Sequence, residues 1–208
     1  MKKIFTLAVA ALLTIGTASA QKNWFVGGSV GVGFSSYEPE GGNKDKTNLF
    51  TISPEAGYQF NDTWAAGLGA TFINGKIYNF RFNGTLFDEK MKWNEWSVAP
   101  FVRATVVKWG NFETMLKCVA RIGGGEFQED TDGALNREFT HLGVFITTVL
   151  AYSISETIQL QAVINSLGLS YNYMDVKDIG KQSDFGFSAN TNDVLNTGNF
   201  QIGFVVRF

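Results

Sequence analysis

The last nine residues, Phe200-Gln-Ile-Gly-Phe-Val-Val-Arg-Phe208, constrain this chain more than any other segment. Phe200, Ile202, Phe204, Val206 and Phe208 are apolar on one parity, whereas Gln201, Gly203 and Arg207 stand on the other. Successive side chains of a strand point to opposite faces, so the segment predicts a strand with one wholly apolar face and one that tolerates an arginine. The apolar face must meet either a protein core or lipid.

The same alternation recurs along the chain. Trp24, Val26, Val30, Val32 and Phe34 oppose Gly27, Ser29, Gly31, Gly33 and Ser35. Phe50, Ile52, Ala56, Tyr58 and Phe60 oppose Thr51, Ser53, Glu55 and Gln59, and the third segment presents Trp64, Ala66, Leu68, Ala70 and Phe72. In the fourth, Trp96 to Val106 opposes Glu95, Ser97 and Arg103; in the fifth, Phe112, Leu116, Cys118, Ala120 and Ile122 oppose Glu113, Lys117 and Arg121. Leu142, Val144, Ile146, Leu150 and Tyr152 oppose His141, Gly143 and Thr147 in the sixth. Ile158, Leu160, Ala162 and Ile164 oppose Gln159, Gln161 and Asn165 in the seventh, which loses parity near Leu167. The terminal strand is the eighth, beginning as far back as Phe185. Connections after the second, fourth and sixth segments are short, and long loops are expected at 37–46, 75–92, 124–137 and 172–192. Short turns at one end and long loops at the other suit an even-numbered transmembrane barrel. Trp24, Phe60, Trp64, Trp109, Phe112, Tyr152 and Phe208 all fall at the short-turn end, as expected of an interfacial aromatic girdle.

Composition narrows the setting. Lys2 and Lys3, the apolar run from Ile4 to Ile15 and the small residues Ala18-Ser19-Ala20 read as a secretory signal peptide, residues 1–20, followed by one barrel domain, residues 21–208. Without Met1–Ala20 the chain keeps 188 residues with 15 basic and 19 acidic side chains. That weak acidity offers no basic stripe for nucleic acid. Cys118 is the only cysteine, so no intrachain disulfide forms. No apolar run is long enough for a helical span after the signal segment.

Lipid explains the near absence of charge from the middle of the apolar faces, since an arginine or lysine there costs about 2–4 kcal/mol. A soluble ligand-binding barrel would invert the arrangement, with an apolar interior. The expectation is therefore an all-β, eight-stranded, up-and-down antiparallel transmembrane barrel with a packed polar lumen.

Ile52-Ser-Pro-Glu-Ala-Gly-Tyr-Gln-Phe-Asn-Asp62, Ala151-Tyr-Ser-Ile-Ser155 with Leu160, Gly168-Leu-Ser-Tyr171 and the closing strand give the chain its family likeness. It resembles the small outer-membrane β-barrel domain proteins common in Bacteroidetes and, more distantly, OmpA- and OmpX-type barrels. The terminal strand, Phe200, Ile202, Phe204, Val206 and Phe208, resembles the signal such barrels present to the barrel-assembly machinery. The resemblance implies an outer-membrane location in a Gram-negative bacterium, outer-membrane lipid as the surrounding medium and a monomer. The chain stops at the final strand, so the wall-tethering domain of two-domain OmpA-like relatives is not expected.

Six inward charges, Glu55, Arg103, Glu113, Lys117, Arg121 and Arg207, form a candidate lumenal network. They would serve as an ion path if the lumen is open, or satisfy one another if it is filled. His141, the only histidine, would need a serine such as Ser166 or Ser170 and an acid such as Glu138 to act catalytically; a lumenal hydrogen-bonding role is preferred. Gly27 to Gly33 has the look of a phosphate loop but lacks the preceding strand and following helix. Glu126, Glu129, Asp130, Asp132 and Gly133 have calcium-like chemistry without the spacing of a calcium loop. Tyr78, Phe80, Phe82 and Phe87 suit either a protruding hairpin or an upper girdle. No catalytic set, cofactor site or metal site is expected. The leading functional expectation is a non-enzymatic outer-membrane scaffold with surface loops, ahead of a narrow solute channel and of a lipid-modifying enzyme. No motif identifies an extracellular partner.

Overall fold

Period-2 alternation becomes a closed sheet because every backbone donor and acceptor in lipid must be satisfied by a neighbouring strand, which a barrel does without leaving an edge in the membrane. The computed structural model describes residues 23–37, 45–77, 80–82, 85–87, 91–129, 136–164, 167–189 and 200–208. Its strands in chain order are β1 (Trp24–Tyr37), β2 (Asp45–Gln59), β3 (Trp64–Ile77), β4 (Phe80–Phe82), β5 (Thr85–Phe87), β6 (Met91–Trp109), β7 (Phe112–Glu129), β8 (Asn136–Ser153), β9 (Ile158–Ile164), β10 (Leu167–Val176), β11 (Gly180–Ala189) and β12 (Phe200–Arg207). The pair β4–β5 is a separate two-stranded hairpin. The other ten make eight antiparallel staves, with β9 and β10 as the two pieces of the seventh and β11 and β12 as those of the eighth. The expected signal peptide lies outside the described residues.

Closure runs through the terminal strand. β12 pairs with β1 from Phe25↔Arg207 to Gly31↔Gln201, and with β9 from Phe200↔Ile164 to Val206↔Ile158. Phe208 N donates to Trp24 O at 2.9 Å, and Trp24 N donates to Phe208 O at 3.2 Å, so Phe208 is tied to the start of β1. The tight turns at this end are held by side chains that imitate backbone. Asn61 Oδ1 accepts from Thr63 N and Trp64 N at 2.9 and 2.8 Å, and Ser155 Oγ does the same for Thr157 N and Ile158 N.

The outward faces carry the lipid belt. Trp96 to Val106, Phe112 to Ile122 and Leu142 to Tyr152 each span eleven residues, close to the length a tilted strand needs to cross a bilayer. Aromatic side chains form the lower rim, where Phe112 and Tyr152 pack at 4.7 Å and Trp24 meets Tyr58 edge-on at 5.1 Å. A bulge between Thr105 and Val107 leaves both Val106 and Val107 exposed at this rim.

Above the belt the pattern reverses. On the outer face the cross-strand row Asn74↔Asn94↔Glu126↔Glu138 is polar. On the inner face Met91, Trp93, Phe127, Phe139 and Val176 are buried together, with Ile73, Ile77, Met174 and Ile179 packed against them. Trp93 stacks on Phe127 at 5.9 Å and meets Phe139 at 4.6 Å. The strands continue into regions expected to be loops: β7 runs to Glu129, β8 starts at Asn136, and β10 and β11 meet across a turn at Lys177–Ile179. The expectation failed there because the apolar parity switches faces, which breaks a sequence alternation without breaking the strand.

The seventh stave also departs from expectation. Ile164 keeps the expected outward parity, opposite Thr148 and Phe200, and is nevertheless buried. Thr148 pairs with Ile164 but Phe145 pairs with Ser170, so the β9–β10 side carries extra residues between these two pairings. The eighth stave begins at Gly180 rather than at Phe185.

Candidate functional site in the barrel lumen

Three inward carboxylates organise the interior at successive heights. Nearest the aromatic rim, Glu113 faces Lys108 Nζ at 3.3 Å and Arg207 Nη2 at 3.6 Å, and accepts a 3.0 Å hydrogen bond from Gln159 Nε2. Gln161 Nε2 in turn donates to Gln159 Oε1 at 3.0 Å. In the middle, Glu55 Oε2 is bound by Lys117 Nζ, and Glu55 Oε1 faces Arg103 Nη1 at 3.7 Å. Highest, Glu95 Oε2 accepts from Trp93 Nε1 at 3.2 Å, and Glu95 Oε1 lies 3.4 Å from His141 Nδ1 without hydrogen-bond geometry.

Aromatic rings support the cations. Arg103 lies 4.0 Å above the Phe25 ring, Lys117 4.2 Å from that of Phe101 and Arg121 4.8 Å from that of Phe145. All three distances fall within the range where the ring quadrupole attracts a cation. The rings fit because the register places them in the row Phe25↔Gly57↔Gly67↔Phe101. A Cβ at Gly57 would run into Phe25 Cζ, and one at Gly67 would lie 2.6 Å from Phe101 Cζ. Glycine at these two sites is a packing requirement.

The structure thus gathers five of the six candidate charges around two carboxylates, with Glu55 serving Arg103 and Lys117, and Glu113 serving Arg207. Arg121 stands apart, with no carboxylate within 4 Å among the described residues. Sequence reasoning missed Glu95 as the partner of His141, and missed the three inward phenylalanines. Parity alone places Phe25, Phe101 and Phe145 on the lumenal face, so the signal was present.

The catalytic arrangement weighed for His141 is not assembled. Glu138 points outward and pairs with Lys177 at 3.7 Å on the exposed surface, while Ser170 Oγ donates to Gly186 O at 3.5 Å. Ser166 lies outside the described residues. Of the calcium-like cluster, Glu126 and Glu129 belong to β7, and Asp130, Asp132 and Gly133 lie outside the described residues. Among the described residues no three His, Cys, Asp or Glu side chains converge on a common point.

With a closed barrel, a lipid belt and an aromatic rim in place, comparison with known proteins adds the lineage. The model of the family described as "Outer membrane protein beta-barrel domain" matches residues 8–208. The chain belongs to this family. As a member of it, the protein is an integral outer-membrane β-barrel. Among solved structures, the barrel is similar to Neisserial surface protein A, with 17% identity, 92% of this chain and 100% of that one covered, and a TM-score of 0.47. It is also similar to the attachment invasion locus protein Ail of Yersinia pestis, with 16% identity, 90% and 100% coverage and a TM-score of 0.45. A major outer membrane protein of Thermus thermophilus gives 14% identity, 89% and 99% coverage and a TM-score of 0.44. No curated protein sequence matches the chain.

Proposed function

We propose that this family member is a non-enzymatic, monomeric barrel whose lumen is plugged and whose work lies at its extracellular end, in surface interaction or envelope integrity. Met1–Ala20 would direct export and be removed, and β12, which closes the barrel, would be the strand read by the barrel-assembly machinery. The observation that carries the plugged reading is the continuity of the filling. Phe25 and Phe101 pack with Ala65, Ala99, Val119 and Val205, the carboxylate clusters lie among them and above, and the Trp93–Phe127–Phe139 stack closes the top. An eight-stranded barrel is just wide enough for side chains to fill it.

Among the described residues, four lumenal cations (Arg103, Lys117, Arg121 and Arg207) against three carboxylates (Glu55, Glu95 and Glu113) favour a second reading, a narrow anion-selective path. Single-channel recording in a planar bilayer separates the two, after a heat-dependent gel shift has verified folding. Folded protein that passes no current supports the plugged scaffold. Steady, anion-selective steps would sink it and make Arg103, Lys117 and Arg121 the selectivity residues.

A further inference from the structure

Among the described residues, Arg121 is the one lumenal cation left without a close carboxylate, and its surroundings are built rather than accidental. The register puts Lys117 opposite Thr147, Val119 opposite Phe145 and Arg121 opposite Gly143. The missing side chain at Gly143 makes room for the Phe145 ring, over which the Arg121 guanidinium lies. A small cavity of about 40 Å³ opens beside it, lined by Lys117, Arg121 and Thr147 together with Ser29, Glu55 and Gln201. Arg121 Nε and Thr147 Oγ1 are both buried without a hydrogen-bond partner. Buried polar groups are normally satisfied, and a buried charge requires compensation, all the more so with hydrocarbon outside the wall. Glu55 lines the same cavity; its Oε2 is bound by Lys117, and its Oε1 faces Arg103 at 3.7 Å without a hydrogen bond, so one carboxylate is shared between two cations. The cavity therefore keeps a positive excess.

We propose that this cavity binds a small monovalent anion of the halide class, held by Arg121 and Lys117 and oriented by the Thr147 hydroxyl. A volume of 40 Å³ admits about three water-sized spheres, hence one halide with its remaining water. Water alone would meet the hydrogen-bonding deficit at Arg121 and Thr147 but leave Arg121 with only the more distant Glu95 as counter-charge, and Lys117 sharing Glu55 with Arg103. The ion acts as a counter-ion that completes the lumenal packing. The proposal rests on the closed lumen described above, and its test is separable from the conductance experiment.

Bromide is the probe. Crystals of the folded barrel soaked in bromide should give an anomalous peak between Lys117, Arg121 and Thr147. The unfolding midpoint of the full barrel should rise when bromide replaces gluconate at constant ionic strength. Arg121→Met should abolish that rise. Thr147→Val, which keeps the volume and the charges, should weaken bromide binding on the order of tenfold, the equivalent of one hydrogen bond to a charged group. If Arg121→Met fails to fold, the wild-type soak and Thr147→Val still decide. An empty anomalous map at the cavity, or an equal rise in the wild type and Thr147→Val, overturns the proposal and leaves a water-filled cavity. Bromide bound in a non-conducting barrel supports both this site and the plugged reading. Bromide bound in a conducting barrel keeps the site and removes the plug.

Discussion

The two halves of the lumen obey opposite rules. Within the lipid belt the outer wall is apolar and the interior holds the charges Glu55, Arg103, Glu113, Lys117 and Arg121, set among rings such as Phe25 and Phe101. Above it the outer wall carries Asn94, Glu126 and Glu138, and the interior holds Met91, Trp93, Phe127 and Phe139. The same strands serve both halves, so the difference comes from the solvent outside. Where hydrocarbon bathes the wall, the charged side chains must turn inward, and apolar ones such as Phe25 and Phe101 join them only as packing. Where water bathes the wall, the hydrophobic effect restores the ordinary order. One barrel keeps its charges inside, among packed rings, in its lower part and is built like a soluble protein in its upper part.

The largest effect should come from the lower half. Glu55→Ala leaves Arg103 and Lys117, directly opposite each other on β6 and β7, without their shared carboxylate. Removing one partner of a buried ion pair costs about 3–5 kcal/mol, to be read as a lowered urea midpoint in lipid vesicles. The comparison itself is tested by one substitution placed at two heights. Ile146→Arg, facing lipid near the middle of β8, should cost about 2–4 kcal/mol. Asn136→Arg, ten residues earlier on the same face of β8, should stay within about 0.5 kcal/mol. Equal costs at the two positions would mean that the belt does not end where the polar row begins. Gly67→Val should destabilise by about 1–3 kcal/mol through overpacking, because its Cβ would collide with Ala56 O as well as with the Phe101 ring. Gel-shift midpoints against temperature would reveal it. The smallest effect belongs to the upper outer wall, where Lys177 and Glu138 are both well exposed. Lys177→Ala should cost under about 1 kcal/mol and less at high salt, measurable as a difference between low- and high-salt melts.

Legibility in the sequence followed the same boundary. The belt could be read residue by residue because lipid enforces one parity over eleven positions on β6, β7 and β8. The upper extensions could not, because Trp93, Phe127 and Phe139 obey the opposite parity and the alternation looked broken at Gly124 and Gly75. The six lumenal charges were legible as inward, since charge rarely survives on the lipid face. Their pairing was not, because height in a barrel depends on the stagger between staves. Glu55 meets Lys117 across 62 residues of sequence, and no local pattern encodes that contact. Phe25 and Phe101 were overlooked for a different reason, namely the assumption that aromatic residues in such a chain belong to the rim or to lipid. The neighbouring glycines, Gly57 and Gly67, were the mark of rings packed against the wall.

The reversal of polarity along each stave has a mechanical consequence. It draws a waterline on the molecule. Sliding the barrel outward by two residues of strand, about 7 Å along the chain, would lift Leu142 and Ile122 into water. Sliding it inward by the same amount would drag Glu126 and Glu138 into hydrocarbon. Both displacements are uphill, so the barrel rides at one depth. In a membrane thicker or thinner than its belt, the lipid must deform to meet the protein.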